Sequence, residues 1–268
     1  MKSLQLRILN GALRIVLALE LAIPFMLLIP VVKATKFGSS RALRQAAAER
    51  GVCVTLVASD GWIEQLLLVA GTVMRFTGAY AYEENVVASM SRVKGGTFLD
   101  IGAHHGLYCC LLRKNFRTLI AAEPFPDSIR IMRRTFRLSG VRAIVLPTAV
   151  TDRSGSTLLL LAKRGSVENR IELGGNRTTA TGEMRVPTTT VSEIVEQYGP
   201  LDLVKVDVEG AEWLVLNGAE SSLDQIRRWV IELHDLRRKD ELERWMTVHK
   251  YQGEWLDGNH FSAWNTKQ

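Results

Sequence analysis

The sequence predicts an α/β fold in which helices cover both faces of a mostly parallel sheet. Short apolar runs of strand length alternate with helical patterns over residues 95–235. Such alternation is typical of βαβ units, because parallel neighbours need a crossover connection and a helix supplies it. The chain has 268 residues, 47% of them hydrophobic. This suits one domain of about 200 residues with an appendage.

The individual elements follow from apolar periodicity and from the turn residues between the periodic segments. Runs of β-prone residues predict strands over residues 52–57, 97–101, 118–122, 142–146, 203–206 and 229–233. Helical spacing predicts helices over residues 61–76, 82–93, 107–115, 126–138, 191–198, 211–217 and 240–249. Residues 157–162 and 183–187 are predicted to pair antiparallel around a polar loop. Asp257-Gly258 indicates the turn of a C-terminal antiparallel hairpin.

The N-terminal segment has a different character from the rest of the chain. Residues 13–32 are almost continuously apolar, close to the length of about 20 residues that a membrane-spanning helix needs. Glu20, Pro24 and Pro30 interrupt the stretch, so a complete span is marginal. We predict a basic, hydrophobic helical segment over residues 1–45 that associates with a membrane through residues 13–32, and one domain over residues 46–268. A buried core helix and a secretory signal peptide are the competing interpretations.

The net charge of +6 is confined to this N-terminal segment. Residues 1–50 contain eight Lys or Arg and two acids, so the remaining residues are neutral in sum. A nucleic-acid-binding domain usually carries its own basic excess, so we expect no nucleic-acid partner. A basic tail suits an anionic surface and predicts a location on the cytoplasmic face of a membrane. The three cysteines form no C-x-x-C pair, and we expect no metal site.

Acidic and histidine side chains stand at or just after the ends of four predicted strands. They are Asp100, Glu123, Asp207 with Glu209, and His234. Ligands of open α/β sheets bind in the crevice beyond the carboxyl ends of the strands. We therefore expect these side chains to open into one crevice.

The loop after the strand at residues 97–101 reads D-I-G-A-H-H-G, from Asp100 to Gly106. Gly102 lets a ligand approach the backbone, and Gly106 permits tight packing where a helix starts. The loop lacks the dinucleotide fingerprint, and Asp100 at its first position favours a cationic amino group over a pyrophosphate. Glu123 is placed to accept the hydroxyls of a ribose. A ligand with an amino-acid end, a nucleoside end and no phosphate is S-adenosylmethionine, which we expect as the cofactor.

Six stretches between residues 82 and 235 carry a family resemblance: FLDIGAHHGLY, AAEPFPDSIRIMRRTFRLSGV, LPTAVTDRSGS, VPTTTVSEIV, LVKVDVEGAEWLVLNGA and VIELHD. In order and spacing they resemble the FkbM family of S-adenosylmethionine-dependent methyltransferases, with D-V-E-G-A-E after a strand as the most specific match. The resemblance implies a Rossmann-like class I methyltransferase sheet. One residue departs from the family pattern, since His104 stands where the family usually has Asn.

The resemblance also implies a cofactor-binding set: Asp100, Gly102, His104, Gly106, Glu123, Ala149, Asp152 and Glu83. The two glycines and the residues between them shape the methionine side of the pocket. Glu123 holds the ribose, Ala149 and Asp152 line the adenine, and Glu83 closes over the cofactor.

Methyl transfer needs alignment of the reactants and removal of a proton from the acceptor. Asp207, Glu209 and His234 are the candidate catalytic bases, and the sequence does not choose among them. Lys205, within the strand, is expected to be a partner of one of these acids.

The expected activity is O-methylation of a hydroxyl on a sugar, a glycolipid or a small metabolite. One alternative is a nicotinamide-dependent oxidoreductase on a similar sheet, against which the missing fingerprint glycine counts. The other alternative is a non-catalytic membrane-associated scaffold, which would have no reason to keep the four acids Asp100, Glu123, Asp207 and Glu209.

Overall fold

A computed structural model of the chain describes residues 83–161, 170–171 and 182–267, and two earlier strands, β1 (Val52–Ser59) and β2 (Trp62–Val69). The later strands are β3 (Gly95–Ile101), β4 (Phe116–Ala122), β5 (Ile144–Leu146), β6 (Ala149–Val150), β7 (Gly155–Leu161), β8 (Arg170–Ile171), β9 (Gly182–Thr189), β10 (Leu203–Val206), β11 (Arg228–Glu232), β12 (Tyr251–Trp255) and β13 (His260–Asn265). The helices are α1 (Glu84–Ser91), α2 (Leu107–Leu111), α3 (Pro126–Ser139), α4 (Val191–Tyr198), α5 (Glu212–Asn217) and α6 (Lys239–Val248). Two 3₁₀ helices span Glu220–Gln225 and Leu236–Arg238.

The central sheet has seven strands in the spatial order β12-β13-β11-β10-β3-β4-β5. The strands from β11 to β5 run parallel to their neighbours, and β13 pairs antiparallel with both β11 and β12. The predicted Rossmann-like sheet is therefore confirmed, together with its C-terminal antiparallel hairpin. This arrangement brings the carboxyl ends of the parallel strands to one edge, where a crevice can form.

Side chains of the central strands alternate between two cores, one on each face of the sheet. In β3, Phe98 enters the core that α1, α2 and α3 cover, whereas Leu99 and Ile101 enter the core that α4, α5 and α6 cover. By the same alternation Asp100 lies on the face of Phe98, and it stands opposite Lys205 of β10 in the parallel register. The sheet thus buries two opposite charges side by side.

A second, four-stranded sheet has the order β6-β9-β7-β8. The predicted antiparallel pair around the polar loop is confirmed as β7 and β9. β8 lies within that loop and pairs with β7, so that Leu159 of β7 stands opposite Ile171. Both of these side chains are buried.

The helix predicted over residues 61–76 is wrong in the part that the structure describes. Residues 62–69 form β2, which pairs antiparallel with β1. The pairing begins with Ser59 opposite Trp62 and ends with Val52 opposite Val69. Between these two positions the sequence reads Asp60-Gly61. This dipeptide is the strongest two-residue hairpin signal, and it outweighs the helical spacing of the leucines that follow.

Among the residues that the structure describes, no helix is long and apolar enough to cross a membrane. The apolar stretch at residues 13–32 and the boundary at residue 45 lie outside the described residues. Membrane association through residues 13–32 and a location on the cytoplasmic face therefore stay predictions.

Candidate active site

A cavity of about 370 Å³ opens where β3, β4, β10 and β11 end. Its wall includes five carboxylic side chains, those of Glu83, Glu123, Asp207, Glu209 and Glu232. No lysine or arginine is among the described residues that line it. The rest of the wall is mostly apolar, and Leu159 and Ile171 of the small sheet belong to it, while His104, Ser128 and Thr148 add neutral polar groups. Such a cavity attracts a cationic ligand that also has an apolar face.

The glycine loop between β3 and α2 contains three left-handed residues, Gly102, His104 and Gly106. Gly102 has a φ of 75°, and a Cβ added there would lie 1.7 Å from the backbone oxygen of Asp207. Gly106 has a φ of 80°, and a Cβ there would lie 2.3 Å from the Phe136 ring of α3. Both positions therefore require glycine, because any side chain would meet strain and a close contact at once. Gly102 lines the cavity, whereas Gly106 is the N-cap residue of α2.

Glu123 follows β4 directly and lines the cavity while being 7% exposed. Its Oε2 accepts a hydrogen bond from the backbone N–H of His104 at 2.9 Å, and its Oε1 accepts one from Phe125 at 2.8 Å. Burial raises the pKa of Glu123 to about 7, although the two backbone hydrogen bonds lower it in part. Each oxygen retains capacity for a second hydrogen bond, as a ribose diol would require.

Asp100 lies behind the cavity wall and is 1% exposed. Neither of its oxygens has a partner in hydrogen-bond geometry, although Cys109 lies close enough to lower its pKa slightly. Burial raises the pKa of Asp100 to about 6, against the opposing effect of Lys205. The expectation that Asp100 opens into the crevice is therefore wrong in this structure, because the side chain points into the core beneath the loop.

Asp207, whose side chain is 25% exposed, forms an ion pair with the buried Lys205 at the end of β10. The Lys205 Nζ donates to Asp207 Oδ2 at 2.8 Å and lies 4.6 Å from the centre of the Tyr108 ring. Burial alone would lower the pKa of Lys205, but the carboxylates of Asp207 and Asp100 raise it well above its usual range. Burial likewise opposes ionisation of Asp207, but Lys205 holds its pKa below the ordinary value. The expectation that Lys205 partners one of the acids is confirmed.

His234 is held between two carboxylates just beyond β11. Its Nδ1 lies 2.8 Å from Glu212 Oε1, and its Nε2 lies 3.2 Å from Glu209 Oε2. Burial would lower the pKa of His234, but the contacts with Glu209 and Glu212 raise it to about 10. His234 is therefore an imidazolium at neutral pH. It is absent from the described cavity wall, which it reaches through Glu209.

The remaining predicted residues divide into two groups. Glu83, Ala149 and His104 line the cavity, and the Tyr108 hydroxyl donates to Glu83. Asp152 does not line the cavity, since it is exposed and lies 3.7 Å from the Arg153 guanidinium.

The loop histidines are neutral in this structure. The His104 ring stacks on the His105 ring with 3.5 Å between centroids. Burial lowers the pKa of His104 to about 4. His104 is therefore uncharged at neutral pH, and it can accept or donate one hydrogen bond in place of the family's Asn.

Two residues of the site, Glu232 and His260, have no place in the sequence prediction. Glu232 ends β11, and the strand was predicted to run one residue further, to Leu233. His260 begins β13, the antiparallel strand, so its first residue lies at the edge where the parallel strands end. The Asp257-Gly258 turn that precedes β13 was the signal that could have located it.

The sheet topology is that of the class I methyltransferase fold, and the cation-attracting cavity lies at the carboxyl edge of the sheet. The methyltransferase FkbM domain profile matches residues 100–253, more than half of the chain. The chain therefore belongs to the FkbM methyltransferase family, as the sequence motifs indicated.

Two curated relatives match part of the chain. The hexuronic acid methyltransferase AglP of Haloferax volcanii is 28% identical over 50% of this chain and 54% of its own length. The methyltransferase sdnD of Sordaria araneosa is 27% identical over 50% of this chain and 64% of its own length. The match thus spans less than two thirds of either relative.

Two solved structures resemble the chain in fold. M. capricolum TrmK, in complex with S-adenosyl-homocysteine, has 12% identity and a TM-score of 0.41, covering 69% of this chain and 67% of its own. The precorrin-6y C5,15-methyltransferase of Geobacter metallireducens has 11% identity and a TM-score of 0.43, covering 69% and 87%.

S-adenosylmethionine is the cofactor that membership of a methyltransferase family implies, and the cavity fits it. The ligand carries a sulfonium and an amino group, which suit a wall with five carboxyl groups and no Lys or Arg among its described residues. Glu123 can receive the ribose, and the apolar wall around Ala149 can receive the adenine.

Proposed function

We propose that the protein transfers a methyl group from S-adenosylmethionine to a hydroxyl oxygen of a sugar, a glycolipid or a small metabolite. The observation that carries this proposal is the carboxylate-lined cavity at the carboxyl edge of the sheet. The sulfur of S-adenosylmethionine is positively charged before transfer and neutral after it. The carboxylate-lined wall can orient this cation before the methyl group is transferred.

In this mechanism the protein supplies orientation and a proton acceptor. S-adenosylmethionine supplies a methyl group on a cationic sulfur. Glu123 binds the ribose, and the apolar wall formed by Leu159 and Ile171 excludes water from the reacting centre. A hydroxyl acceptor loses its proton as the new carbon–oxygen bond forms, and Asp207 or Glu209 is placed on the wall to receive it.

The surroundings of the three candidate bases favour different roles for them. Asp207 and Glu209 line the cavity, while His234 carries a proton that both of its acidic neighbours stabilise. A protonated imidazole cannot accept the acceptor's proton. The geometry therefore supports His234 as a positioning residue for Glu209, and its role as a base stays a prediction.

Two considerations bear on the acceptor. AglP is described as a hexuronic acid methyltransferase, which supports a sugar acceptor here as well. The cavity wall carries no Lys or Arg among its described residues, so it offers no cationic partner for a carboxylate on the acceptor. A neutral hydroxyl group is therefore the acceptor that the wall favours. An acceptor borne by a membrane would agree with the apolar segment at residues 13–32.

The two alternatives fit the site less well. A nicotinamide dinucleotide would bring its pyrophosphate against a wall of carboxylates, which repels it. A non-catalytic scaffold would not require the costly burial of Asp100, Glu123 and Lys205 beside a cavity.

Calorimetry with the full-length protein tests the proposal most directly. Wild-type protein should bind S-adenosylmethionine and S-adenosylhomocysteine, and Glu123→Ala should weaken both by roughly 10- to 100-fold, because a charged hydrogen-bond acceptor is removed from the ribose. Glu196→Ala, on an exposed position of α4, is the matched control and should bind as the wild type does. Folded wild-type protein that binds neither compound would overturn the proposal. Equal binding by Glu123→Ala would remove Glu123 from the site.

A further inference from the structure

We propose that Glu83, Glu232 and His260 form a binding site for one divalent cation at the edge of the cavity. The three residues come from the start of α1, the end of β11 and the start of β13. One ligand atom of each lies within 4.8 Å of the others. Glu83 and Glu232 also line the cavity, so a cation held there would face its contents.

The distances between the ligand atoms suit a shared ion. His260 Nε2 lies 3.3 Å from Glu232 Oε2 and 3.6 Å from Glu83 Oε2. Two donors that each lie about 2.1 Å from one ion, at angles between about 90° and 110°, are about 3.0 to 3.4 Å apart. The observed separations need only small side-chain movements to reach this range.

His260 is the observation that separates this cluster from an ordinary group of acids. Its side chain is 4% exposed, and its Nε2 has no partner in hydrogen-bond geometry. Its Nδ1 lies 2.9 Å from both carboxylate oxygens of Asp257. A carboxylate on one ring nitrogen fixes the tautomer that directs a lone pair from the other nitrogen towards a metal. The buried Nε2 therefore points between two carboxylates, and a cation bound there would take the place of the proton that they favour on this nitrogen.

The two carboxylates are also oriented by neighbours. The Tyr108 hydroxyl donates to Glu83, and the Asn259 side-chain amide donates to Glu232 Oε1 at 3.0 Å. The second bond leaves Glu232 Oε2 directed at His260. Outer contacts of this kind hold the ligands of metal sites in place.

A neighbouring cluster of Asp207, Glu232 and His234 has the same composition but is already satisfied. His234 uses both ring nitrogens, on Glu212 and Glu209, and Asp207 is bound to Lys205. A cation would have to displace these partners. The site at His260 is therefore the one that the geometry favours.

The ligand set indicates the kind of cation. Two carboxylates and one imidazole combine the oxygen donors that suit Mn²⁺ with the nitrogen donor that suits Zn²⁺. A divalent cation beside the cavity would lower the pKa of a hydroxyl bound to it. A role for this effect in catalysis rests on the methyl transfer proposed above, whereas binding of the cation does not.

Titration of metal-free, full-length protein with Mn²⁺ tests the site, with the loss of the free-ion electron paramagnetic resonance signal as the readout. Wild-type protein should bind one equivalent. Glu232→Gln and His260→Gln should abolish that binding, and Asp257→Asn should weaken it by roughly 10- to 100-fold, because it removes the orienting partner. His249→Gln is the matched control, since His249 contacts the Trp245 backbone away from the cavity.

Each outcome decides the proposal. Wild-type protein that binds neither Mn²⁺ nor Zn²⁺ while its thermal melt is cooperative would show that the cluster is an internal ion-pair network only. Binding that survives Glu232→Gln and His260→Gln would place the cation elsewhere. Circular dichroism of Glu232→Gln, the more conservative variant, separates lost ligation from lost folding. Parallel calorimetry with S-adenosylmethionine shows whether the cofactor site is intact when cation binding fails.

Discussion

The two halves of the site treat buried charge in opposite ways. On the side of β3 and β4, Asp100 and Glu123 are buried carboxyl groups without a cation in direct contact, and burial raises both pKa values. On the side of β10, the carboxylate of Asp207 is bound to Lys205. Beyond β11, His234 and its acidic neighbours complete a second ion-paired group.

This difference separates what the protein provides from what a ligand must bring. The paired half keeps the carboxylate of Asp207 ionised and fixed, because its cation, Lys205, belongs to the protein itself. The carboxyl groups of the unpaired half have no cation in contact until a cationic ligand binds. The bound ligand then lowers the free-energy cost of ionising them. Under the proposed function, Glu123 on the β3–β4 side would contribute to binding the cofactor, and Asp207 or Glu209 on the β10–β11 side would receive the acceptor's proton.

Removing the cation of the paired half should have the largest effect on stability. Lys205→Met leaves Asp207 without its ion-pair partner and the buried Asp100 without its nearest positive charge, and we expect a loss of about 3 to 5 kcal/mol in the free energy of unfolding. Urea denaturation of the two proteins measures it. Lys94→Met, at an exposed position, should change stability by less than about 0.5 kcal/mol. A similar small change for Lys205→Met would show that the two halves do not differ.

A methyl group added at Gly102, where the two halves meet, should have the next largest effect on stability. In Gly102→Ala the added carbon meets the Asp207 backbone oxygen at 1.7 Å, at a φ of 75°. Gly140→Ala has nearly the same backbone strain, at a φ of 66°, but nothing lies within 4 Å of the added carbon. We expect about 1 to 2 kcal/mol of destabilisation from strain in Gly140→Ala, and clearly more in Gly102→Ala. Thermal unfolding compares them, and equal losses would contradict the close approach.

The pH dependence of cofactor affinity should show the smallest effect. Glu123 and Asp100 have folded-state pKa values of about 7 and about 6, both above their ordinary values, so the free protein holds extra protons below neutrality. A cationic ligand favours the ionised forms, so its binding releases protons. Affinity for S-adenosylmethionine should therefore rise roughly tenfold between about pH 5.5 and about pH 7.5.

Calorimetry in buffers of different ionisation enthalpy measures the released protons directly. Glu123→Ala should lose most of the pH dependence along with much of the affinity. An affinity that stays flat or falls over this range in the wild type would mean that the β3–β4 carboxyl groups are already ionised in the free protein.

The sequence predicted the sheet and most of the cavity, because both follow from local patterns. Strand ends are visible as apolar runs that stop at an acid, and this rule located Glu123, Asp207 and Glu209 on the cavity wall. The two loop glycines could be assigned because their backbone conformation admits little else.

The rest depended on three-dimensional pairings that no local pattern contains. Asp100 lies beside Lys205 in the register of β3 with β10, a pairing that no local pattern contains, and its side chain is buried off the cavity wall. His260 reaches the site only because β13 runs antiparallel and returns to the same edge. Asp152 follows the short strand β6, but the chain bends outward there and leaves it exposed.

The position of β13 has a consequence for biosynthesis. It is the last of the described strands along the chain, yet in space it lies between β11 and β12. A nascent chain that has emerged only as far as β12 therefore exposes the backbone of Arg228–Glu232 as an open edge, which can pair with other chains. Pairing of β13 with β11 covers that edge and also brings His260 to the site. Assembly of this part of the site therefore depends on the same strand pairing that protects the β11 edge against aggregation.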